Sequence, residues 1–387
     1  MRLLTRAGLS IISLLLTVAA IDLLLMPLAF PWMPLSLHGH FSPSVRVLAQ
    51  SSKRAAVPRH YIAIVGDSYA QGNGDWIQSV SPRTNPPFAS YHLIHARTGR
   101  DVVSFGAAGA SSLRGLVSEP LGTLAYLQKT WRFEFPPPDH ILVYFYEGND
   151  ITDNLRELRQ RWKGGPLRPD TFHRFIERTV LAESPHEQAL ESFHITDNFL
   201  LSRALLHAVW AFARRYPPPD FYNGDWSKLT VTEARIDNHL ERLPDGLAGP
   251  VLGTNEADLA RGEFVFAQAL RYLHEQMPTV PMTVVYIPSP LTMYEVVSPT
   301  VSAQTENGSA VFSTPLVSAW SDRIAAQVKA TSTDVGAGFL DVRPELRSAA
   351  AHAVVHGPKD WNHLNKLGQE AFAEAILKHA REHRIIS

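Results

Sequence analysis

The sequence predicts an α/β protein in which helices cover both faces of a parallel sheet. Short runs rich in β-branched and aromatic residues alternate with longer stretches of helical periodicity, and the first three runs each end in a turn that contains glycine. The predicted strands are residues 61–65, 101–105, 140–146, 282–287 and 338–342. The predicted helices are residues 88–98, 112–129, 256–276, 315–330 and 366–382.

The composition excludes several classes of protein. The chain has 387 residues, with 36 Lys plus Arg against 37 Asp plus Glu, and no cysteine. Without cysteine there is no disulfide scaffold, thiolate nucleophile, Cys-ligated metal site or lipid-modified N-terminal cysteine. The near-zero net charge lacks the basic excess that phosphate contacts require, so we expect no nucleic-acid partner. The sequence indicates no metal and no organic cofactor. At about 150 residues per domain, the length suggests two to three domains, and one large α/β domain with an insertion fits as well.

An apolar stretch near the N-terminus, residues 7–30, predicts a membrane-spanning helix. It exceeds the roughly 20 residues that a helix needs to cross the hydrocarbon layer. Arg2 and Arg6 precede it, and Asp22 is the only formal charge within it. Because such basic residues stay on the cytoplasmic side, we expect the rest of the chain to be extracytoplasmic, either periplasmic or at the cell surface.

Two alternatives to a retained anchor stay open at this point. Val18, Ala19 and Ala20 would make a cleavage site for a signal peptide, and the stretch would also fit a buried helix of a cytoplasmic protein. The apolar residues continue past Ala20 to Met26, which a cleaved peptide does not need. This continuation favours an anchor that is retained.

The chain divides into an anchor, a linker and one interrupted domain. Residues 1–33 are the predicted anchor, and residues 34–60, rich in Pro, Ser and His, are the predicted linker. Residues 61–387 are the predicted α/β domain. Within it, residues 151–250 carry amphipathic, charged stretches and predict a mostly helical insertion. The insertion either covers the site or projects outward, and both placements stay open.

Polar residues follow the predicted strands, at the edge where a parallel sheet places its functional groups. Ser68 follows the first strand, Gly109 the second and Asn149 the third. Asp360 and His363 lie just before the last helix. We therefore expect the sheet to bring these five residues together.

These residue types are the parts of an acyl-transfer site. Ser68 is the predicted nucleophile, and its hydroxyl needs a base because it is unreactive near neutral pH. His363 is the predicted base, and Asp360 is close enough in sequence to orient its imidazole and stabilise the imidazolium. The predicted oxyanion donors are the backbone N–H groups of Ser68 and Gly109 and the side-chain amide of Asn149.

The motifs around these residues resemble the four sequence blocks of the SGNH, or GDSL, hydrolase superfamily. The matching segments are Gly66-Asp67-Ser68, Gly109, Gly148-Asn149-Asp150 and Asp360-Trp361-Asn362-His363, in the order of that family. The resemblance implies a flavodoxin-like fold, a three-layer α/β/α sandwich with a central parallel sheet. It also implies esterase, lipase, thioesterase or carbohydrate O-acyl chemistry, with the roles given above. Tyr69 departs from the family pattern, because leucine is commoner after the serine.

Each of these residues also has a structural interpretation. Taken alone, Ser68 would be a helix cap and Asn149 would cap the helix that follows it. Gly106 and Gly109 would be turn glycines, and Gly106 is a second candidate for the oxyanion glycine. Taken together, the structural interpretations are less convincing than the catalytic one. They would require four unrelated motifs to occur at strand or helix ends by coincidence.

Three further polar residues near the motifs are assigned structural or solvent-exposed roles. Asp67 is expected to brace the loop that carries the serine. Glu147 competes for the role of a site carboxylate, but a charged residue at a strand end is more often the edge of a sheet. His356 is expected to be a solvated loop residue.

A second serine-hydrolase fold also has to be considered. The segment Gly66-Asp67-Ser68-Tyr69-Ala70 partly matches the nucleophile elbow of α/β-hydrolases. In that fold the elbow follows several strands, whereas a single predicted strand precedes Ser68. Its acid and base also lie on two separate loops, unlike Asp360 and His363. The sequence therefore favours the flavodoxin-like sandwich.

The sequence predicts a serine-dependent acyl ester hydrolase that acts through an acyl-enzyme on an extracytoplasmic substrate. The membrane-anchored layout resembles SGNH proteins that act on O-acetylated envelope glycans. One alternative is an O-acyltransferase that modifies exported or cell-wall polysaccharide and works with a membrane acyl-donor protein. Another is a non-catalytic binding module, against which the presence of Ser68, Asp360 and His363 argues.

Overall fold

The computed structural model has at its centre a five-stranded sheet in which every pairing is parallel. The structure describes residues 2–33, 43–74, 88–131, 133–191, 228–306 and 308–386, together with residues 199, 201–202, 205–206, 209 and 226. Within them the strands are β1 Tyr61–Val65, β2 Asp101–Ser104, β3 His140–Tyr146, β4 Leu229–Ile236, β5 His239–Pro244, β6 Met282–Ile287, β7 Glu295–Val296, β8 Thr300–Thr305, β9 Gly308–Ser313 and β10 Gly338–Asp341.

The order of the central sheet, β10-β6-β3-β1-β2, confirms the predicted α/β class. β1, β3 and β6 coincide with the predicted strands, and β2 and β10 end one residue earlier. Numbered within this sheet alone, the order is 2-1-3-4-5, which is the flavodoxin-like order. The chain reverses the direction in which it adds strands between β1 and β3. Sheets of this type bind ligands beyond the strand ends at such a switch point.

Helices cover both faces of this sheet. In the described residues the α-helices are α1 Arg2–Ala20, α2 Met26–Ala29, α3 Ser68–Gln71, α4 Ser90–Thr98, α5 Glu119–Trp131, α6 Asp150–Arg161, α7 Pro169–Phe175, α8 Pro185–Glu191, α9 Glu256–Gln276, α10 Pro290–Met293, α11 Thr314–Val335, α12 Arg343–Ala350 and α13 Lys366–Glu382. One core cluster joins the sheet to α5, α9 and α11, and the other joins it to α4, α12 and α13.

Successive residues of β1 pack alternately into the two core clusters on opposite faces of the sheet. Ala63 and Val65 pack into the first cluster, whereas Ile62 and Ile64 pack into the second. Side chains alternate along a strand, so a strand that is buried on both faces has to be apolar at every position. This requirement explains the continuous apolar runs from which the strands were predicted.

The segment between β3 and β6 is helical only in its first part. α6, α7 and α8 follow β3, whereas β4 and β5 form an antiparallel hairpin that pairs with the short β7. The predicted mostly helical insertion over residues 151–250 thus includes strands that we did not expect. The missed signal is the two-residue turn at Asp237 and Asn238, whose φ angles of 47° and 65° suit a tight hairpin. A second hairpin, β8 and β9, lies where no element was predicted.

The described part of the predicted linker packs against the domain. Val45 and Leu48 are buried in the first core cluster. The Val102 N–H of β2 donates to the Ser52 carbonyl at 2.9 Å, and the Ser52 hydroxyl donates to the Val102 carbonyl at 2.7 Å. Burial lowers the pKa of Lys53 to about 7, although the charge of Asp101 opposes this shift. Residues 43–57 therefore pack against the domain and are bonded to the edge strand β2, whereas residues 34–42 lie outside the described residues.

The apolar N-terminus forms a helix that is joined to the domain at its end. By length and composition, Arg6–Trp32 is long and apolar enough to cross a membrane. α1 passes through a π-helical turn, Ile21–Leu25, into α2. Phe30 is buried, and its ring stacks on Phe133 with 5.3 Å between centroids. The end of this helix is thus part of the packed core.

Candidate active site

Ser68 lies on a tight turn between β1 and α3. Gly66 has a φ of +142°, and a Cβ there would lie 2.8 Å from the Tyr144 carbonyl oxygen, so the turn requires glycine. Asp67 caps α3, because its Oδ1 accepts the Tyr69 N–H at 2.9 Å. This agrees with the bracing role predicted for Asp67. Ser68 is the first residue of α3, and its N–H therefore has no acceptor within the helix.

Ser68, His363 and Asp360 form a continuous series of hydrogen bonds. The Ser68 Oγ lies 2.8 Å from the His363 Nε2, although the two residues are 295 positions apart. The His363 Nδ1 lies 2.7 Å from the Asp360 Oδ2. A carboxylate only accepts hydrogen bonds, so the Nδ1 carries the proton and the neutral Nε2 is free to accept the serine hydroxyl. The arrangement can therefore pass the serine proton to histidine.

The charges of two carboxylates raise the pKa of His363. Burial alone lowers it, but the charge and hydrogen bond of Asp360, together with the charge of Asp67, outweigh burial. For Asp360, burial raises the pKa, but the charge and hydrogen bond of His363 and two backbone N–H donors lower it below its usual value. Asp360 therefore stays ionised and stabilises an imidazolium at His363.

Asp67 is a second carboxylate next to the serine. Its Oδ2 lies 3.2 Å from the Ser68 Oγ, a longer contact than the one to His363. Burial raises the pKa of Asp67, and hydrogen bonds from Tyr69, Ser68 and Asn149 and the charge of His363 oppose that increase. Asp67 thus both shapes the turn and contributes to the electrostatics of His363.

A cavity of about 670 Å³ opens over Ser68 and His363. Gly109 and Asn149 line the same cavity. It is also lined by Arg156 of α6, by residues 248–249 and 251–252, and by the β8 residues Gln304 and Thr305. Part of the predicted insertion therefore borders the cavity. No group of three His, Asp or Glu side chains that could hold a metal is found in the described part of the chain.

The two candidate oxyanion glycines have different surroundings. Gly109 has a φ of +64°, and among the described residues its N–H has no acceptor. Gly106 does not line the cavity, and a Cβ there would lie 2.1 Å from the Gln71 backbone nitrogen. Gly106 is therefore required by close packing against α3. The geometry favours Gly109 as the donor, a role that stays a prediction.

Asn149 stands at the N-cap position of α6 without capping it. Its side chain makes no cap hydrogen bond, and none of the described residues is bonded to its buried Oδ1. Asp150, by contrast, is tied to the strand end, because its Oδ2 accepts the Tyr146 N–H at 2.9 Å. The structural interpretation of Asn149 as a helix cap is thus not supported.

Two tyrosines that were given no role in the site from the sequence hold the loop of Asp360 and His363. The hydroxyls of Tyr69 and Tyr146 both donate to the Asn362 carbonyl, at 3.0 Å and 3.2 Å. The Tyr69 ring also packs on the imidazole, with 5.1 Å between centroids. The departure from leucine after the serine was therefore a signal, since leucine has no hydroxyl to donate.

Glu147 and His356 lie outside the cavity. Glu147 is fully buried and accepts hydrogen bonds from the Tyr286, Ser289, Thr292 and Ser321 hydroxyls and from the Ser289 N–H. His356 is also buried, and its Nδ1 lies 3.0 Å from the Tyr294 hydroxyl. Burial lowers the pKa of His356 to about 3, so it is neutral near pH 7. The expectation of a solvated His356 was wrong, because α/β packing encloses the loop that carries it.

No protein-family model and no curated protein sequence matches the chain. Similar solved structures include an extracellular lipase from Streptomyces rimosus, at 15% identity over 83% of this chain and 99% of that chain, with a TM-score of 0.40. They also include phospholipase A1 from Streptomyces albidoflavus NA297, at 12% identity, 82% and 98% coverage and a TM-score of 0.36. An acetyl xylan esterase from Butyrivibrio proteoclasticus has 9% identity, 85% and 65% coverage and a TM-score of 0.35. At these values the similarities carry no argument about activity.

Proposed function

We propose that this α/β protein is a serine-dependent hydrolase of the SGNH type. Its particular activity, in this proposal, is the hydrolysis of acyl esters through an acyl-enzyme. The observation that carries the proposal is the hydrogen-bonded series of Ser68, His363 and Asp360, in which Ser68 and His363 line a cavity. A nucleophile, a base and an orienting acid in mutual contact are the arrangement that acyl transfer requires.

In the proposed mechanism, the Ser68 Oγ attacks the ester carbonyl carbon while the His363 Nε2 takes the hydroxyl proton. Ser68, Gly109 and Asn149 donate hydrogen bonds to the developing oxyanion. The ester C–O bond then breaks, and the alcohol leaves with the proton from His363. Water attacks the acyl-enzyme, gives a proton to His363, and the acid is released as Ser68 regains its proton.

The proposed substrate is an acyl ester of a polar, extracytoplasmic alcohol, such as an O-acetylated envelope glycan. Arg156, Gln304 and Thr305 line the same cavity as Ser68, and such polar groups suit a hydroxylated leaving group. The candidate membrane helix Arg6–Trp32 supports attachment to a membrane, with the domain on the side opposite Arg2 and Arg6.

An O-acyltransferase is the second candidate, because it uses the same residues with a sugar hydroxyl in place of water. A cavity of about 670 Å³ has room for an acceptor ring as well as an acyl group, which supports this alternative. A membrane acyl-donor protein would then supply the acyl group. Acceptor glycan should speed the loss of the acyl-enzyme in a transferase and leave it unchanged in a hydrolase.

The decisive experiment labels the full-length protein in detergent with a fluorophosphonate and measures hydrolysis of p-nitrophenyl acetate. We expect Ser68→Ala to abolish labelling and to lower kcat by about 10⁵-fold, since the nucleophile is lost. His363→Ala should have a similar effect on turnover. Labelling of Ser68→Ala at the original rate would exclude the proposed nucleophile.

Ser332→Ala is the matched control. Ser332 is a buried serine of α11 far from the cavity, and its hydroxyl donates to the Val328 carbonyl at 2.7 Å. The Ser332→Ala substitution removes the same atom, a serine hydroxyl oxygen, from a packed environment. Labelling and kcat should therefore stay at their original values. A loss of labelling in this control would mean that the probe reports on folding and not on Ser68.

A further inference from the structure

Asp22 is the one ionisable side chain inside the apolar N-terminal stretch, and it is fully buried. It lies in the π-helical turn Ile21–Leu25. Its carboxylate accepts the Leu201 N–H at 2.6 Å, the Ser202 N–H at 3.3 Å and the Ser202 hydroxyl at 2.6 Å. A segment about 180 positions further along the chain therefore satisfies this buried charge.

The contact has the geometry of a helix cap supplied by a different segment. Phe199 is not helical, whereas the described residues from Leu201 to Val209 are. The first N–H groups of a helix have no acceptor within it, and a side-chain carboxylate is a preferred acceptor for them. Asp22 thus binds the start of the helical residues in what we name the 199–209 segment, meaning its described residues 199, 201–202, 205–206 and 209.

The 199–209 segment continues the exposed apolar surface of the N-terminal helix. Leu205, Leu206 and Val209 are 59%, 62% and 65% exposed, close to the 66% of Leu16 on α1. Phe199 and Ser202 share a groove with α1 residues that include Leu16. Several exposed apolar side chains on one short segment beside an apolar helix are unusual on a water-exposed domain and are typical of a surface that contacts a partner or a membrane.

We propose that the 199–209 segment is a second membrane-contacting element that lies in the apolar part of the lipid bilayer beside the N-terminal helix. The proposal rests on the membrane attachment proposed above. We assign lipid as the partner of this segment because its start, at Phe199 and Ser202, shares a groove with the candidate membrane helix Arg6–Trp32. The sequence continues with Trp210 and Phe212 and then Arg214 and Arg215, an order typical of residues at a membrane interface.

The chemistry of Asp22 fits this placement. In hydrocarbon, a lone carboxylate and free backbone N–H groups are both unfavourable, because water is absent to bind them. The three hydrogen bonds from Leu201 and Ser202 satisfy both sets of groups at once. Asp22 therefore acts as the contact that joins the two elements. Attachment at two points, and not one, would also restrict how the domain turns relative to the membrane.

The absence of cysteine makes a single-cysteine experiment possible on the full-length protein in liposomes. Three single-cysteine variants each carry one environment-sensitive fluorophore. Leu206→Cys is the test position, Leu16→Cys is the reference inside the N-terminal helix, and Leu240→Cys on β5 is the control. Leu240 is 61% exposed, which matches the 62% of Leu206, but it belongs to the hairpin of the domain. Nitroxide groups on the lipid acyl chains and iodide in the water then act as quenchers.

We expect acyl-chain nitroxide to quench positions 206 and 16 about threefold or more above position 240, and iodide to show the reverse order. Quenching of position 206 by iodide, with position 16 quenched by lipid, would overturn the proposal and leave the membrane anchor intact. Protection of position 206 from both quenchers would overturn it in favour of a protein partner. Iodide quenching of position 16 would contradict both the membrane anchor and this inference. The proposed ester hydrolysis is measured separately and would not be affected by that result.

Asp22→Ala tests the joining contact, and Asp22→Asn is its conservative partner. In Asp22→Ala we expect iodide quenching at position 206 to rise about threefold, because the acceptor of three hydrogen bonds is lost. Asp22→Asn keeps one acceptor oxygen and should give an intermediate value. Identical quenching in all three proteins would refute the role of Asp22.

Discussion

Asp360 and Glu147 are both fully buried carboxylates in the same α/β domain, yet their surroundings differ in one decisive respect. Asp360 binds His363, whose other ring nitrogen reaches Ser68 in the cavity. Glu147 is enclosed by hydroxyl and backbone donors, and none of its partners lines the cavity. Burial and complete hydrogen bonding are therefore common to both residues, and only the connection to an open cavity distinguishes them.

This difference indicates what to look for in a buried carboxylate. A closed network such as that of Glu147 stabilises the folded state, because every donor around it would lose its partner without it. A network such as that of Asp360 ends at a group that a ligand can reach. We therefore expect substitutions at the two carboxylates to affect different measurements.

Among substitutions that leave the nucleophile and the base in place, the largest effect should come from Asp360→Asn. We expect kcat to fall by about 10³- to 10⁴-fold, because an amide favours the wrong tautomer of His363 and does not stabilise the imidazolium. His363 is active when neutral, and its pKa is raised above the usual 6.5. The acid limb of kcat/KM in the natural protein should therefore lie above pH 6.5 and move to lower pH in Asp360→Asn. An unshifted limb would contradict the pairing.

Asn149→Ala should have the next largest effect. We expect kcat to fall by about 10²- to 10³-fold with little change in KM, because one oxyanion donor is lost. The Asn149 side chain does not cap α6 but donates a hydrogen bond to the buried Asp67, so we expect the free energy of unfolding to fall by only about 1 kcal/mol. Urea denaturation and steady-state kinetics check both values. A larger loss of stability than of kcat would assign Asn149 to the fold.

Glu147→Gln should show the opposite pattern. We expect the free energy of unfolding to fall by about 1–3 kcal/mol, because the amide nitrogen faces donors that then lack an acceptor. Turnover per folded molecule should stay within about twofold, since Glu147 does not line the cavity. The comparison between the two carboxylates would fail if kcat fell by orders of magnitude in a folded Glu147→Gln protein.

Tyr69→Phe should give the smallest effect. It removes one of the two hydrogen bonds to the Asn362 carbonyl and keeps the ring that packs on His363. We expect kcat to fall about three- to tenfold with KM unchanged, because a hydrogen bond of this kind contributes about 1 kcal/mol. The double variant with Tyr146→Phe should lose more than the product of the single effects. Strict additivity would show that the two hydroxyls do not act together.

Local patterns were sufficient for the elements of the sheet and for the choice of candidate residues. The strands were readable because burial on both faces makes each run continuously apolar, as in β1 and β3. Ser68, Gly109 and Asn149 were readable because they follow such runs directly. The structure brings Ser68, His363 and Asp360 within hydrogen-bonding distance, and their catalytic roles stay predictions.

Other features depended on contacts that no local pattern reports. The hairpin of β4 and β5 lacks the apolar signal of a doubly buried strand, because β5 is exposed along most of its length. The enclosure of Glu147, the burial of His356 and the contact of Asp22 with Leu201 each join residues more than 60 positions apart. The sequence did not predict these contacts, because the partners are distant along the chain.

The sequence by itself determined the α/β class of the protein, because strand and helix periodicities depend on residues that are close together in the chain. It also determined which side chains were chemically suited to acyl transfer. Only the tertiary structure decided which glycine faces the cavity, which carboxylate connects to it, and which tyrosines hold the loop of His363. The physical reason is that hydrogen bonds and cavities form between segments that the fold brings together, and their geometry depends on all of those segments at once.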